Sequence, residues 1–75
     1  MIRYKIDVVK ALADRGFTPS RIRKNKFLGE TTMQRLRNQS TINTKTLGTV
    51  CLMLRCQPSD ILEVVATDEE KLKYF

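Results

Sequence analysis

Apolar residues recur at two different spacings along this chain, and the change from one to the other marks out its elements. Ile2, Tyr4 and Ile6 alternate with Arg3 and Lys5, the period of a short strand over residues 1–6. From Val8 the spacing lengthens, so that Val8, Ala11 and Leu12 share one face of a helix running to Arg15. Asp7 is its N-cap and Gly16 its left-handed stop, with Phe17 beyond placed to fold back on the apolar face. Thr18 caps a second helix, and Pro19 takes the first helical position, where its missing N–H costs nothing. Ile22 is its main apolar residue and Asn25-Lys26 closes it. Phe27 and Leu28 form a tight turn. Gly29 then caps a third helix from Glu30 to Arg37, with Thr32, Met33 and Leu36 facing inward.

Residues 39–43 form a polar loop, after which Asn43 or Thr44 caps the strongest helical stripe in the chain. Leu47, Val50, Cys51 and Leu54 fall at i, i+3, i+4 and i+7, as expected of a central core helix. Gln57-Pro58-Ser59-Asp60 breaks it, and Pro58 or Ser59 opens a short fifth helix through Ile61 and Leu62. Val64-Val65 suit a second short strand, pairing with the first inside one subunit or across a dimer. Residues 68–75 read as a charged, frayed tail. Placed on one helix, Cys51 and Cys56 point to different faces and out of each other's reach; Cys51 then serves as a small buried hydrophobe. The pattern predicts an all-α domain of five short helices, with a possible pair of short terminal strands.

Composition narrows the function more than the fold. Seventy-five residues, 41% hydrophobic and 29% charged, make one globular domain spanning the whole of 1–75 and are not the composition of a disordered chain. No apolar run approaches the ~18 residues of a membrane span and no signal-like segment follows Met1, so a cytoplasmic protein is expected. The chain has no histidine, three glycines and two cysteines. Those numbers leave no imidazole base, no phosphate-cradling glycine loop and no four-ligand zinc site, so neither an enzyme nor a cofactor or metal is expected.

Charge adds the decisive feature. Between residues 21 and 45 stand seven cations (Arg21, Arg23, Lys24, Lys26, Arg35, Arg37 and Lys45) against one acid, Glu30. The rest of the chain balances seven basic residues with seven acidic ones, so the whole formal charge of +6 belongs to this stretch. A basic pair of short helices on a neutral scaffold points to a polyanion, nucleic acid above all.

The segment 18–38 also carries a recognisable order: Thr18, Ile22, Leu28, then Thr32-Met33, Arg35-Leu36 and Asn38. In this it resembles the lambda-repressor-like, Cro/CI-type (XRE) helix-turn-helix proteins, and the resemblance runs over residues 7–62. It is nearest to small stand-alone bacterial and phage-type members. Several positions depart from that pattern. Arg23 stands where a small residue is common, Phe27 where a turn glycine is, and Gln39 where a helix-ending glycine is. Pro19 replaces a glutamine that in many relatives clamps a phosphate.

The resemblance implies a sequence-specific transcriptional regulator, a repressor occupying an operator in double-stranded DNA as a homodimer, with no recognisable small-molecule effector site. A helix fits the major groove, so the outward face of 30–37 supplies the base-reading candidates Glu30, Thr31, Gln34 and Arg35. Gln pairs with adenine, Arg with guanine, Glu with a cytosine amino group, and the Thr methyl touches thymine. Phosphate candidates are Thr18, Ser20, Arg21, Arg23, Lys24, Arg37, Asn38, Thr44 and Lys45. Structural readings stand beside these: Glu30 also suits the helix dipole, Arg35 can pair with an internal acid, and Arg23 can reach either DNA or a nearby acid. Two other functions fit the same residues: an antitoxin-like protein-interaction module using residues 61–65 and 68–70, or a non-specific nucleic-acid binder.

Overall fold

A computed structural model describes all 75 residues. Strand β1 (Ile2–Tyr4) leads into helices α1 (Val8–Asp14), α2 (Pro19–Asn25), α3 (Glu30–Arg37), α4 (Thr44–Leu54) and α5 (Pro58–Ile61). Strand β2 (Leu62–Val64) and helix α6 (Asp68–Tyr74) complete the chain. Helices thus number six rather than five, around a single two-stranded sheet.

The buried core takes at least one apolar residue from each of α1 to α5: Val8 and Leu12, Ile22, Met33 and Leu36, Val50, Cys51 and Leu54, and Ile61. No polar side chain is buried with them. The core therefore rests on apolar packing alone, drawn from helices of four to eleven residues that are too short to persist separately. Leu47, expected in the α4 stripe, is only partly buried against this cluster.

Local sequence sets each helix start. Asp7, Thr18 and Asn43 each accept a backbone N–H from three residues on, at Lys10, Arg21 and Thr46. Asn43, not Thr44, is the cap of α4.

The first four helices all end in one way. The residue after each helix's last turn adopts the left-handed conformation, and the next N–H reaches back five residues to a carbonyl: Phe17 to Leu12, Phe27 to Ile22, Ser40 to Arg35, and Cys56 to Cys51. Only the first has glycine there, Gly16 at φ 89°. Lys26, Gln39 and Arg55 each sit at φ 55°, where a Cβ is strained by about 1–2 kcal/mol. Replacing Gln39 or Arg55 by Gly is therefore expected to raise the melting temperature, by about 4–8 °C for each kcal/mol recovered in a domain of this size. Gly16→Ala should lower it. Thermal denaturation of the three variants checks the sign.

This ending corrects the expectation for the cysteines. Helix α4 stops at Leu54, between them, and Arg55 turns the chain so that Cys56 folds back onto Cys51. The Cys56 N–H donates to the Cys51 carbonyl at 3.0 Å, and burial first, then the nearby Cys56, pushes the Cys51 thiol above its usual range. A helical wheel drawn through both residues fails because the helix does not extend that far.

β1 and β2 pair antiparallel within one subunit, with Ile2 opposite Val64, Arg3 opposite Glu63 and Tyr4 opposite Leu62. Each is shorter than the sequence suggests, and the second begins earlier, taking Leu62 from the fifth helix. Tyr4 and Leu62 pack on the core, and the Tyr4 hydroxyl donates to the Ser40 carbonyl at 2.7 Å. Burial raises the Tyr4 phenol above its ordinary pKa.

Residues 68–75 are the second correction, since α6 occupies all but the last of them. Thr67 accepts from the Glu70 N–H at 3.1 Å and Glu70 accepts from the Thr67 N–H at 3.0 Å, a reciprocal cap. The Thr67 N–H, and after it the terminal amino group of Met1, holds the Glu70 carboxyl below its usual range. Acids in the first turn and lysines in the last also suit the helix dipole. The density of charge hides this cap in composition. α6 buries no residue, and the long dimension of the chain is 47 Å against 22 and 19 Å. Its Cα radius of gyration of 14.0 Å exceeds the about 11 Å of a compact 75-residue chain, as expected if α6 projects from the body.

Candidate nucleic-acid interface

α2, the turn at 26–29 and α3 form one unit on the body. Ile22 anchors α2, and Phe27, the residue that folds back on it, meets Phe17 from the end of α1 edge-on, with ring centroids 5.7 Å apart. Met33 and Leu36 anchor α3, which packs against α1. At about 100° of rotation per residue, the direction opposite Thr32, Met33 and Leu36 falls between Gln34 and Thr31. Both are exposed, with Glu30 and Arg35 flanking them. The sequence thus builds a helix with one face committed to the core and four polar side chains presented outward.

Gly29 caps α3 with extended backbone and no side-chain hydrogen bond. A Cβ at this position would meet nothing within 4 Å, so space does not demand glycine. Glu30, the first residue of α3, turns back across the motif. Its Oε1 accepts from Arg23 Nε of α2 at 2.7 Å, making the one ion pair within residues 21–45. Two residues assigned to different duties, Glu30 to base reading and Arg23 to phosphate, are therefore partners in the free protein. An acid within reach of Arg23 is one of the two expectations for it, but spacing does not single out Glu30, because the seven-residue separation spans a turn.

Arg35 has no acidic partner and stays exposed. Arg21 is tied down: its Nη1 donates to the Gly16 carbonyl at 3.1 Å and its guanidinium lies 5.0 Å from the Phe17 ring centroid. The end of α1 already uses it. Thr18 Oγ1 accepts the Arg21 N–H as a cap, which leaves its own O–H to donate, and Ser20 beside it is exposed. Lys24, Arg37, Asn38, Thr44 and Lys45 are also exposed, and none of the three cations among them enters an ion pair. Lys26, an equally unpaired cation, occupies the left-handed turn position.

An apolar-backed helix with a polar outer face, held by a second short helix and surrounded by unpaired cations, defines a helix-turn-helix domain. Residues 8–67 match the family of the Cro/C1-type HTH DNA-binding domain, and the chain belongs to that family. Comparison with curated proteins and with solved structures finds no match. DNA is thus the ligand class of this domain. No helix is long and apolar enough to cross a membrane.

Proposed function

We propose that this domain is a sequence-specific transcriptional repressor that occupies an operator with α3 in the major groove. The observation that supports it is the division of α3, with Met33 and Leu36 buried while Thr31, Gln34 and Arg35 stand exposed and free of ion pairs. In this reading Gln34 and Thr31, nearest the centre of the outward face, meet base edges, and Arg35 reads from the flank. Thr18, Ser20, Lys24, Arg37, Asn38, Thr44 and Lys45 meet phosphates and set the register. Arg21 contributes charge from its fixed place beside Phe17.

One such module covers on the order of 600–1,000 Å² on DNA, so two copies on half-sites about 34 Å apart are expected. The strands are already paired within the subunit. A homodimer is then left the outer part of the sheet's apolar face, where Ile2 and Val64 are 64% and 77% exposed, and the apolar residues of α6.

Selection from random duplex DNA tests the proposal. The expected result is a preferred, palindromic site. Gln34→Ala should lose preference at one base pair, worth about 1–3 kcal/mol, while Lys24→Ala weakens all sequences alike. An enriched site that Gln34→Ala reads unchanged would remove α3's outer face from the role.

α6 also supports a second reading, as a protein-binding arm. Leu72, Tyr74 and Phe75 are largely exposed behind an acidic first turn. A stoichiometric protein partner that needs α6, with no duplex binding even at low salt, would favour it.

A further inference from the structure

We infer that Arg23, oriented by Glu30, is a specificity-determining residue that takes the major-groove edge of a guanine, and that Glu30 does not itself read a base. The inference rests on the proposed operator-reading role of α3 and adds a base contact from α2.

Three observations combine. First, Arg23 Nε lies 2.7 Å from Glu30 Oε1, and no residue other than Glu30 is hydrogen-bonded to the Arg23 guanidinium. An arginine held from its Nε side keeps its end-on fork, one N–H from each Nη, free and directed away from the carboxylate. Two parallel donors match the N7 and O6 acceptors of guanine. Second, the pair is open to solvent on both sides, with side chains 68% and 69% exposed. An exposed ion pair does little for stability, so holding the fold together does not account for it. Third, it bridges α2 to the first residue of α3, where the recognition helix enters the groove in this class of motif. A lone carboxylate there would face the repulsion of the phosphates. Neutralised by Arg23, it costs the complex little and fixes a guanidinium in one orientation before DNA arrives.

Arg21 and Arg35 offer no equivalent. Arg21 spends its guanidinium on the Gly16 carbonyl and the Phe17 ring, and Arg35 has no carboxylate to orient it.

The test is a panel of single base-pair changes in the duplex selected by the native protein. The native protein, Arg23→Ala, Arg23→Lys and Glu30→Gln are each titrated against it over a range of salt. Arg23→Ala should lose roughly tenfold or more of the discrimination for guanine at one position and leave the other positions unchanged. Arg23→Lys should lose the same preference while keeping the salt slope, because an ammonium offers a charge but not a planar fork. Glu30→Gln should also relax that guanine, although it makes the protein one unit more positive than its native +6.

A phosphate contact by Arg23 predicts the reverse. Arg23→Ala would then weaken every sequence alike and flatten the salt slope by about one, Arg23→Lys would behave as native, and Glu30→Gln would tighten all sequences. That pattern overturns the inference and leaves the operator-reading proposal standing. If the native protein itself prefers no duplex sequence, both fall. Circular dichroism of the four proteins should be identical, since both side chains lie outside the core.

Discussion

Leu12→Ala should unfold a large part of this protein at physiological temperature, while Leu52→Ala should leave it intact. Leu12 is fully buried in α1, which packs on both α3 and α4, whereas Leu52 is 81% exposed on α4. Truncating a buried leucine removes its transfer free energy and leaves a cavity, together about 2–5 kcal/mol. A domain of this length has roughly 4–11 kcal/mol in total, at about 0.05–0.15 kcal/mol per residue. The loss at Leu12 is therefore comparable with the whole, and the melting temperature should fall by about 8 °C at the least. At Leu52 the change should stay within about 0.5 kcal/mol. Urea unfolding monitored by helicity measures both. Equal effects at the two positions would mean that α1 is not the support of α3.

The second large effect is electrostatic. Lys24, Arg37 and Lys45 are exposed and unpaired, so changing all three to Ala removes charge without removing packing. Each phosphate contact contributes about 0.9 to the slope of log affinity against log salt, and the triple variant should lose roughly 2.7 from it. Affinity at 0.1 M salt should fall on the order of a hundredfold, for all sequences alike. The melting temperature should stay near that of the native protein. A slope reduced by less than one would place the phosphate-contacting surface elsewhere on the domain.

Much of the scaffold was legible in the residues because its signals are local. Asp7 and Thr18 cap the helices they precede, Pro19 opens α2, and Val8, Leu12, Ile22, Met33, Leu36, Val50, Cys51 and Leu54 are buried as their spacing requires. α6 was hidden for a different reason. Its Thr67–Glu70 cap is a local signal, but the surrounding charge reads as a solvated tail. Lys26, Gln39 and Arg55 show that a left-handed helix end forms without glycine when the returning N–H and the packing beyond it hold the chain there.

The candidate site was legible as a set of residue types and not as a set of contacts. Charge placed the seven cations of residues 21–45, but not which of them were already in use. Arg21 is held by a carbonyl and a ring, Arg23 by Glu30, while Arg35 remains free. Each result depends on where a turn delivers a side chain.

The sequence by itself determined the helix boundaries near the motif, the apolar face of each core helix and the confinement of net charge to one third of the chain. Those properties follow from periodicity, caps and composition, which act over a few residues. Only the tertiary structure decided that Cys56 returns to Cys51, that the two strands close on each other within one subunit, and that Glu30, still exposed, pairs with Arg23. These are contacts across chain reversals, where small changes in backbone angle move a side chain by several ångströms, and no pattern of residue types along the chain encodes that displacement.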